Sequence, residues 1–432
     1  MEIWKIGGSC LLGAPSYIRA AALAKDWGTP RLVVVSAMRG VTDELERLLQ
    51  GSSTMPDEIL AQHRDVWSAL DGHEESFDHL ANELRHDLQA AHDDFGLRRD
   101  CVLSWGDQFS ARFLKQAFQR IGIEATYVDA GELGLVTNDS HGQAQPVLDV
   151  GKRIMAGLHQ HSGLIVTPGF VGLSGSGQRT TLGRNTSDYT AALIAAASSS
   201  STLRIFSSAS GVLSADPNLV STAHHLEELS YDETAELIHA GSPVLHPMAL
   251  ATMRQSGTQA LLQSLTGDDS SVTSIVGIPS SNPDSFQAIP HRTGLALLEM
   301  HPKPGVKGIH LLGDCLRVLK DANIHVDMSS ASDSTVQLAV VNRANIEELM
   351  VGFEEKAEIK IDGGYSSVSL VGRGVTRTPG IASQALGLLA KGHVFPRLMN
   401  DHGHAPCISF LLEDRFLAVA MQLLHEGIIS AP

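Results

Sequence analysis

Short apolar runs alternate with amphipathic stretches through about the first 270 residues. EIWKI gives way to a Gly-Gly-Ser turn and then to the helical stretch SYIRAAALAKDWG. PRLVVVSAM, EATYVDA, GLIVTPGF and LRIFSSA are further strand candidates, each feeding a turn that contains Gly or Ser. Strands alternating with helices predict a mostly parallel α/β sheet covered on both faces. In such sheets ligands bind beyond the carboxyl ends of the strands, where these turns gather. Residues 57–95 interrupt the rhythm with a helical insert. Phe77, Leu80, Leu84 and Leu88 recur there at helical spacing, which predicts one packed and one acidic side. Its histidines, His63, His73, His79 and His86, do not share a helix face and read as solvated surface residues, as does the pair His224–His225.

The pattern breaks between about 265 and 290, where TGDDSSVTS and IPSSNPDS carry no apolar periodicity. This marks a boundary between a domain over 1–275 and a second region over 290–432. Beyond it two shorter α+β patterns follow one another, over about 293–357 and 358–432, with room to interleave. They resemble an internal duplication, which suits small-molecule sensing or a dimer interface.

Composition narrows the class. The 432 residues are 43% hydrophobic and 19% charged, enough for two or three cored domains. No apolar run reaches the roughly 18 residues that a membrane crossing needs, and MEIWKIGG lacks a leader pattern. The four cysteines stand far apart without metal-finger spacing, as expected of reduced thiols in a cytoplasmic protein. With 48 acidic against 32 basic side chains the net charge is −16, which disfavours nucleic acid as a partner. An anionic substrate would have to be held by a few placed cations.

Several turns could supply them. Lys5, Gly7, Gly8 and Ser9 close the first strand candidate. Glycine lets backbone N–H groups approach a phosphate and lysine can neutralise one, although a tight turn alone would look the same. Ser36 and Thr42 end the second strand region, and Asp107 follows another short apolar segment. In GRNTSD, Arg184 suits a bidentate clamp on a carboxylate. Ser187 and Asp188 suit either an ammonium ligand or the cap of the next helix.

Taken together, KIGGS, VVVSAMRGVTDEL, SWGDQFSAR, VTNDSHG, VTPGFVG, TTLGRNTSDYTAALIA, GVLSADP and LSYDETAELIHAGSPVLHP resemble the aspartate kinases, in order and along the whole chain. PGVKGIHLLGDCLRVLKDANIHVDM resembles their ACT domains. The resemblance implies an amino-acid kinase fold followed by two ACT-like modules. It also implies transfer of the ATP γ-phosphate to the β-carboxylate of L-aspartate, with magnesium carried by the nucleotide and no metal held by the protein. That reaction opens aspartate-family amino-acid biosynthesis. On this reading Lys5 neutralises the moving phosphoryl group, Gly7, Gly8, Ser9 and Ser36 cradle phosphates, and Thr42, Arg184, Ser187 and Asp188 serve the amino acid. Asp107 stands where the family usually has a glutamate that holds the substrate amine. Ser207, Ser208, Gly211 and Asp216 fall in the nucleotide segment. The ACT-like modules imply a homodimer with an effector near Val326 and Asp327.

The departures from the family pattern cluster. Asn185 and Thr186 replace two glycines, and Ser207 and Ser208 replace a Thr-Asp pair. Leu213 replaces a tyrosine, Asn218 an arginine, and Pro243 a lysine that reaches nucleotide phosphates. Loss of one such cation costs about 3 kcal/mol, near a hundredfold in rate. These changes leave open a second reading, an impaired homologue that binds an amino acid as a sensor or partner subunit.

Overall fold

The computed structural model describes residues 2–51, 56–90, 94–266, 271–279, 285–341, 346–401, 403 and 405–429. The chain forms two compact units, Met1–Val212 with Leu245–Ile278, and Leu213–Val244 with Pro279–Pro432. Residues 213–244, which the sequence pattern groups with the first domain, therefore pack with the second unit.

As far as Val212 the strands of the first unit include β1 (Glu2–Ile6), β2 (Leu32–Val35), β3 (Ala125–Tyr127), β4 (Val136–Thr137), β5 (Leu164–Pro168), β6 (Val171–Ser174), β7 (Arg179–Thr181) and β8 (Thr202–Ser207). Over the same span the helices include α1 (Ala14–Trp27), α2 (Val41–Leu49), α3 (Pro56–Ala69), α4 (Glu74–Gln89), α5 (Phe95–Arg120), α6 (Val150–Gln160) and α7 (Ser187–Ala197), and the helix Pro247–Ser256 follows later in the chain. Within the first unit the strands of the main sheet run Thr273–Val276, Gln259–Ser264, β8, β1, β2, β5, β3. All neighbours are parallel except the first pair. β2 and β5 are buried at every residue, so both faces are covered, as their near-continuous apolar runs require. β4, β6 and β7 make a small separate sheet.

The 57–95 insert is two helices. Asp71 takes a positive φ of 59° and the Gly72 N–H returns to the Trp67 carbonyl at 3.0 Å, which ends α3 before α4 begins. His63 is a correction to the expectation. It is only 1% exposed, among Phe109 and Phe113, and burial pushes its pKa down to about 4. His73, His79 and His86 are exposed.

The second unit carries a six-stranded sheet in the order Val326–Ala331, Val336–Val341, His291–Pro302, Ala357–Val371, Cys407–Glu413, Leu398–Asp401. Every pairing is antiparallel. The two long central strands are shared between the modules. His291 and Arg292 pair with Val368 and Ser367, and after a bulge Leu295–Pro302 pair back along the other end of Ala357–Val371. Gly294 and Gly364, at φ 72° and 84°, accommodate that change of register. Each half has its own core, one around Leu298, Leu311, Leu319 and Leu338, the other around Leu370, Ile381, Leu389 and Phe410.

Candidate active site

Side chains alternate along β1, so the direction of Lys5 follows from its neighbours. Trp4 and Ile6 enter the core that holds Tyr17, Phe109 and Phe113, which turns Lys5 to the other face. There α7 begins, and Lys5 Nζ lies 2.7 Å from Asp188 Oδ1, with the two side chains only 12% and 15% exposed. The backbone N–H of His246 donates to Asp188 Oδ2 at 3.3 Å. His246 caps the helix Pro247–Ser256 by accepting the Met248 N–H at 3.2 Å, and its ring lies against Tyr189. Burial lowers the His246 pKa, which favours the neutral ring.

The Gly7–Ser9 turn is wedged between its neighbours. The Gly7 N–H donates to the Phe206 carbonyl at 2.9 Å. A Cβ on Gly7 would stand 3.1 Å from both Lys5 Nζ and the Phe206 oxygen, and one on Gly8 would stand 2.5 Å from the Ala37 oxygen. Close approach, not an unusual φ, requires glycine here. Ser9 Oγ accepts the Ser208 N–H at 3.3 Å, and Ser36 Oγ donates to Ser187 Oγ at 2.9 Å. The turns after β1, β2 and β8 and the start of α7 therefore meet around the Lys5–Asp188 pair.

Asp107 lies beneath them, 2% exposed. Oδ1 accepts the Ala37 N–H at 2.6 Å, and Oδ2 accepts those of Gly169 and Phe170 at 3.1 and 3.2 Å. Burial raises its carboxyl pKa to about 7, against the pull of the three N–H groups and Lys5. Both oxygens accept from the backbone, so Asp107 ties two loops, the one after β2 and the one between β5 and β6, to α5.

Arg184 is half-exposed and pairs with Asp43 in the first turn of α2, next to the half-buried Thr42. The replacement of two glycines is accommodated. Asn185 takes φ 63°, a region asparagine tolerates, and Thr186 has φ −92° and donates to the Gly183 carbonyl at 2.7 Å. Ser207 Oγ accepts the Ala209 N–H at 3.2 Å, and Gly211 has φ 72°. Asp216 belongs to the second unit, where Oδ1 accepts the Asn218 N–H at 2.9 Å and closes its own turn.

Val326 and Asp327 lie on a strand of the second unit. Asp327 is 7% exposed and engaged, with Arg292 Nε 2.8 Å away. Arg292 also donates to the His239 carbonyl at 2.6 Å. An ammonium ligand at Asp327 would have to displace this internal cation.

A family model described as the amino acid kinase family matches residues 2–264. The chain belongs to that family. Over nearly its full length it is similar to aspartokinases. It is 25% identical to the lysine-sensitive aspartokinase 3 of Escherichia coli, over 99% of this chain and 98% of that one. It superposes on the crystal structure of E. coli aspartokinase III in complex with aspartate and ADP with a TM-score of 0.82 at 25% identity, covering 99% of each chain. The Clostridium acetobutylicum aspartate kinase shares the fold, with a TM-score of 0.83 at 18% identity over 99% of this chain and 100% of that one.

Sequence reasoning missed two groups. The His246 N–H on Asp188 is a backbone contact, invisible to residue type. The other group centres on Asp100, which is fully buried and accepts hydrogen bonds from Gly142 and Thr181. Asp100 follows two arginines in LRRDCVL, so its residue type gave no sign of its burial.

Proposed function

We propose that this chain is an ATP-dependent kinase of an amino-acid carboxylate, with L-aspartate as acceptor and its β-aspartyl phosphate as product. The observation that carries the reading is the Lys5–Asp188 pair at 2.7 Å, set where the turns after three parallel strands meet the start of a helix. The similarity to aspartokinases along the whole chain supports it. In the transfer, a β-carboxylate oxygen attacks the γ-phosphorus while the bond to the ADP leaving oxygen breaks. Lys5 neutralises charge on the moving phosphoryl group, and Asp188 holds the ammonium in place. The Gly7 amide is committed to Phe206, so Lys5, Gly8 and Ser9 would meet the phosphates. Arg184 exchanges Asp43 for a substrate carboxylate. Thr42 and Ser187 line the acceptor, Ser36 stands on the phosphate side, and Ser207, Ser208 and Gly211 face the nucleotide.

Magnesium would arrive on the nucleotide phosphates. The ACT-like modules serve regulation and homodimer formation, and the chain works in the cytoplasm. Among the described residues no helix is long and apolar enough to cross a membrane. Lys5→Met tests the core of the reading, with an expected fall in kcat of about a hundredfold or more in folded protein. Arg184→Ala should raise the aspartate KM well above any change in the ATP KM. Unchanged kcat in the first variant, or the reverse KM pattern in the second, would refute these assignments.

A further inference from the structure

Asp100 stands one turn into α5 with no exposed surface. Its carboxylate accepts the Thr181 N–H at 3.0 Å, the Thr181 hydroxyl at 2.6 Å and the Gly142 N–H at 3.0 and 3.1 Å. His141 Nδ1 lies 3.0 Å away, and its side chain is 8% exposed. Donors thus arrive from two separate segments, the turn at 141–142 and the end of β7. The second segment leads directly to Gly183 and Arg184. The two are also joined to each other, because the Ala144 N–H donates to the Thr181 carbonyl at 2.9 Å. Gly183 has φ 100°, and a Cβ on it would lie 3.6 Å from the Gly142 oxygen.

The neighbouring residue completes the frame. Arg99 forms a two-point pair with Glu46 of α2, at 2.9 and 2.7 Å. The same helix, one turn earlier, carries Asp43, the partner of Arg184. Consecutive residues of α5 therefore fix both sides of the Arg184–Asp43 pair. Asp100 holds the loop that carries the arginine, and Arg99 holds the helix that carries its carboxylate partner.

We propose that Asp100 is a positioning residue for acceptor binding, acting through His141, Gly142 and Thr181 on the Gly183–Arg184 loop. The proposal rests on the kinase reading for its effect on substrate but not for its effect on the loop. A buried carboxylate filled by several donors cannot rotate without stranding them, so it transmits the rigidity of α5 to an otherwise exposed loop. A clamp displaced by about 1 Å loses much of its value to a bound carboxylate.

The test uses the full chain with Asp100→Asn, nearly isosteric but unable to accept from every donor, and with Thr181→Val and Thr181→Ser. Amide hydrogen exchange read by mass spectrometry should show faster exchange in peptides covering 138–145 and 181–187 in Asp100→Asn and Thr181→Val. Thr181→Ser should restore protection. In the same variants the L-aspartate KM should rise about tenfold or more, as expected for lost hydrogen bonds to a charged group, with the ATP KM unmoved. A purely structural role would lower Tm and leave both KM values alone. Unchanged exchange in the two segments, or changed exchange with an unchanged aspartate KM in an active enzyme, would overturn the proposal. If the wild-type chain turns over no acidic amino acid, the kinase reading fails and the exchange result alone decides the positioning role.

Discussion

Asp107→Asn separates two opposed forces on one buried group. Three backbone N–H groups and Lys5 favour the carboxylate, whereas complete burial favours the neutral acid. The structure places burial ahead, with the pKa raised from 3.8 to about 7. The sign follows from linkage. The folded chain binds this proton more tightly than the unfolded one, so the contribution is full below the unfolded pKa near 4 and is lost as pH rises towards 7. A shift of this size corresponds to about 4 kcal/mol across that window. Asparagine cannot titrate and presents an NH2 group to the N–H donors of Gly169 and Phe170, which costs about 1–3 kcal/mol for each donor left unpaired. Urea unfolding of both proteins in steps from about pH 4 to 8 reads the difference. The stability advantage of wild type over the variant should be largest near pH 4 and shrink towards neutrality. An advantage that grows with pH would mean that the N–H cradle outweighs burial and would refute the reasoning.

His63 has the opposite sign. Its pKa falls from 6.5 to about 4 on burial, so its contribution is full above 6.5 and is lost as pH falls towards 4, a term of about 3 kcal/mol. His63→Phe should therefore flatten the acid limb of the stability curve, and an unchanged limb would place the histidine in water. Gly8→Ala puts a methyl 2.5 Å from the Ala37 oxygen. The expected strain of about 1–3 kcal/mol should lower Tm by several degrees and raise the ATP KM more than the aspartate KM, and a neutral variant would show that the turn has slack.

What was legible in the sequence was local. LVVV and LIVTP are apolar at nearly every position, and they became strands buried on both faces. The direction of Lys5 followed from alternation in EIWKI. In the strand Ala357–Val371 apolar alternation is legible only in YSSVSLV, because AEIKIDGG mixes charge and glycine and becomes a strand only by pairing with His291–Pro302. His63 looked like its exposed neighbours because its burial depends on Phe109 and Phe113 of a different helix. In the site, residue types announced Lys5, Arg184 and Asp188. Their partners were hidden, since Asp43, the His246 N–H and the three N–H groups on Asp107 are set by tertiary approach. The substitutions at Asn185 and Thr186 proved compatible with the turn once its φ values were on view.

The most direct test of the central claim is acyl-phosphate formation by the wild-type chain. Incubated with ATP, magnesium and L-aspartate, and trapped with hydroxylamine, it should yield the β-aspartyl hydroxamate in step with ADP release, and Lys5→Met should yield almost none. ADP release without hydroxamate, or no hydroxamate with any acidic amino acid at saturating ATP, would contradict the kinase reading and leave an amino-acid-binding sensor in its place.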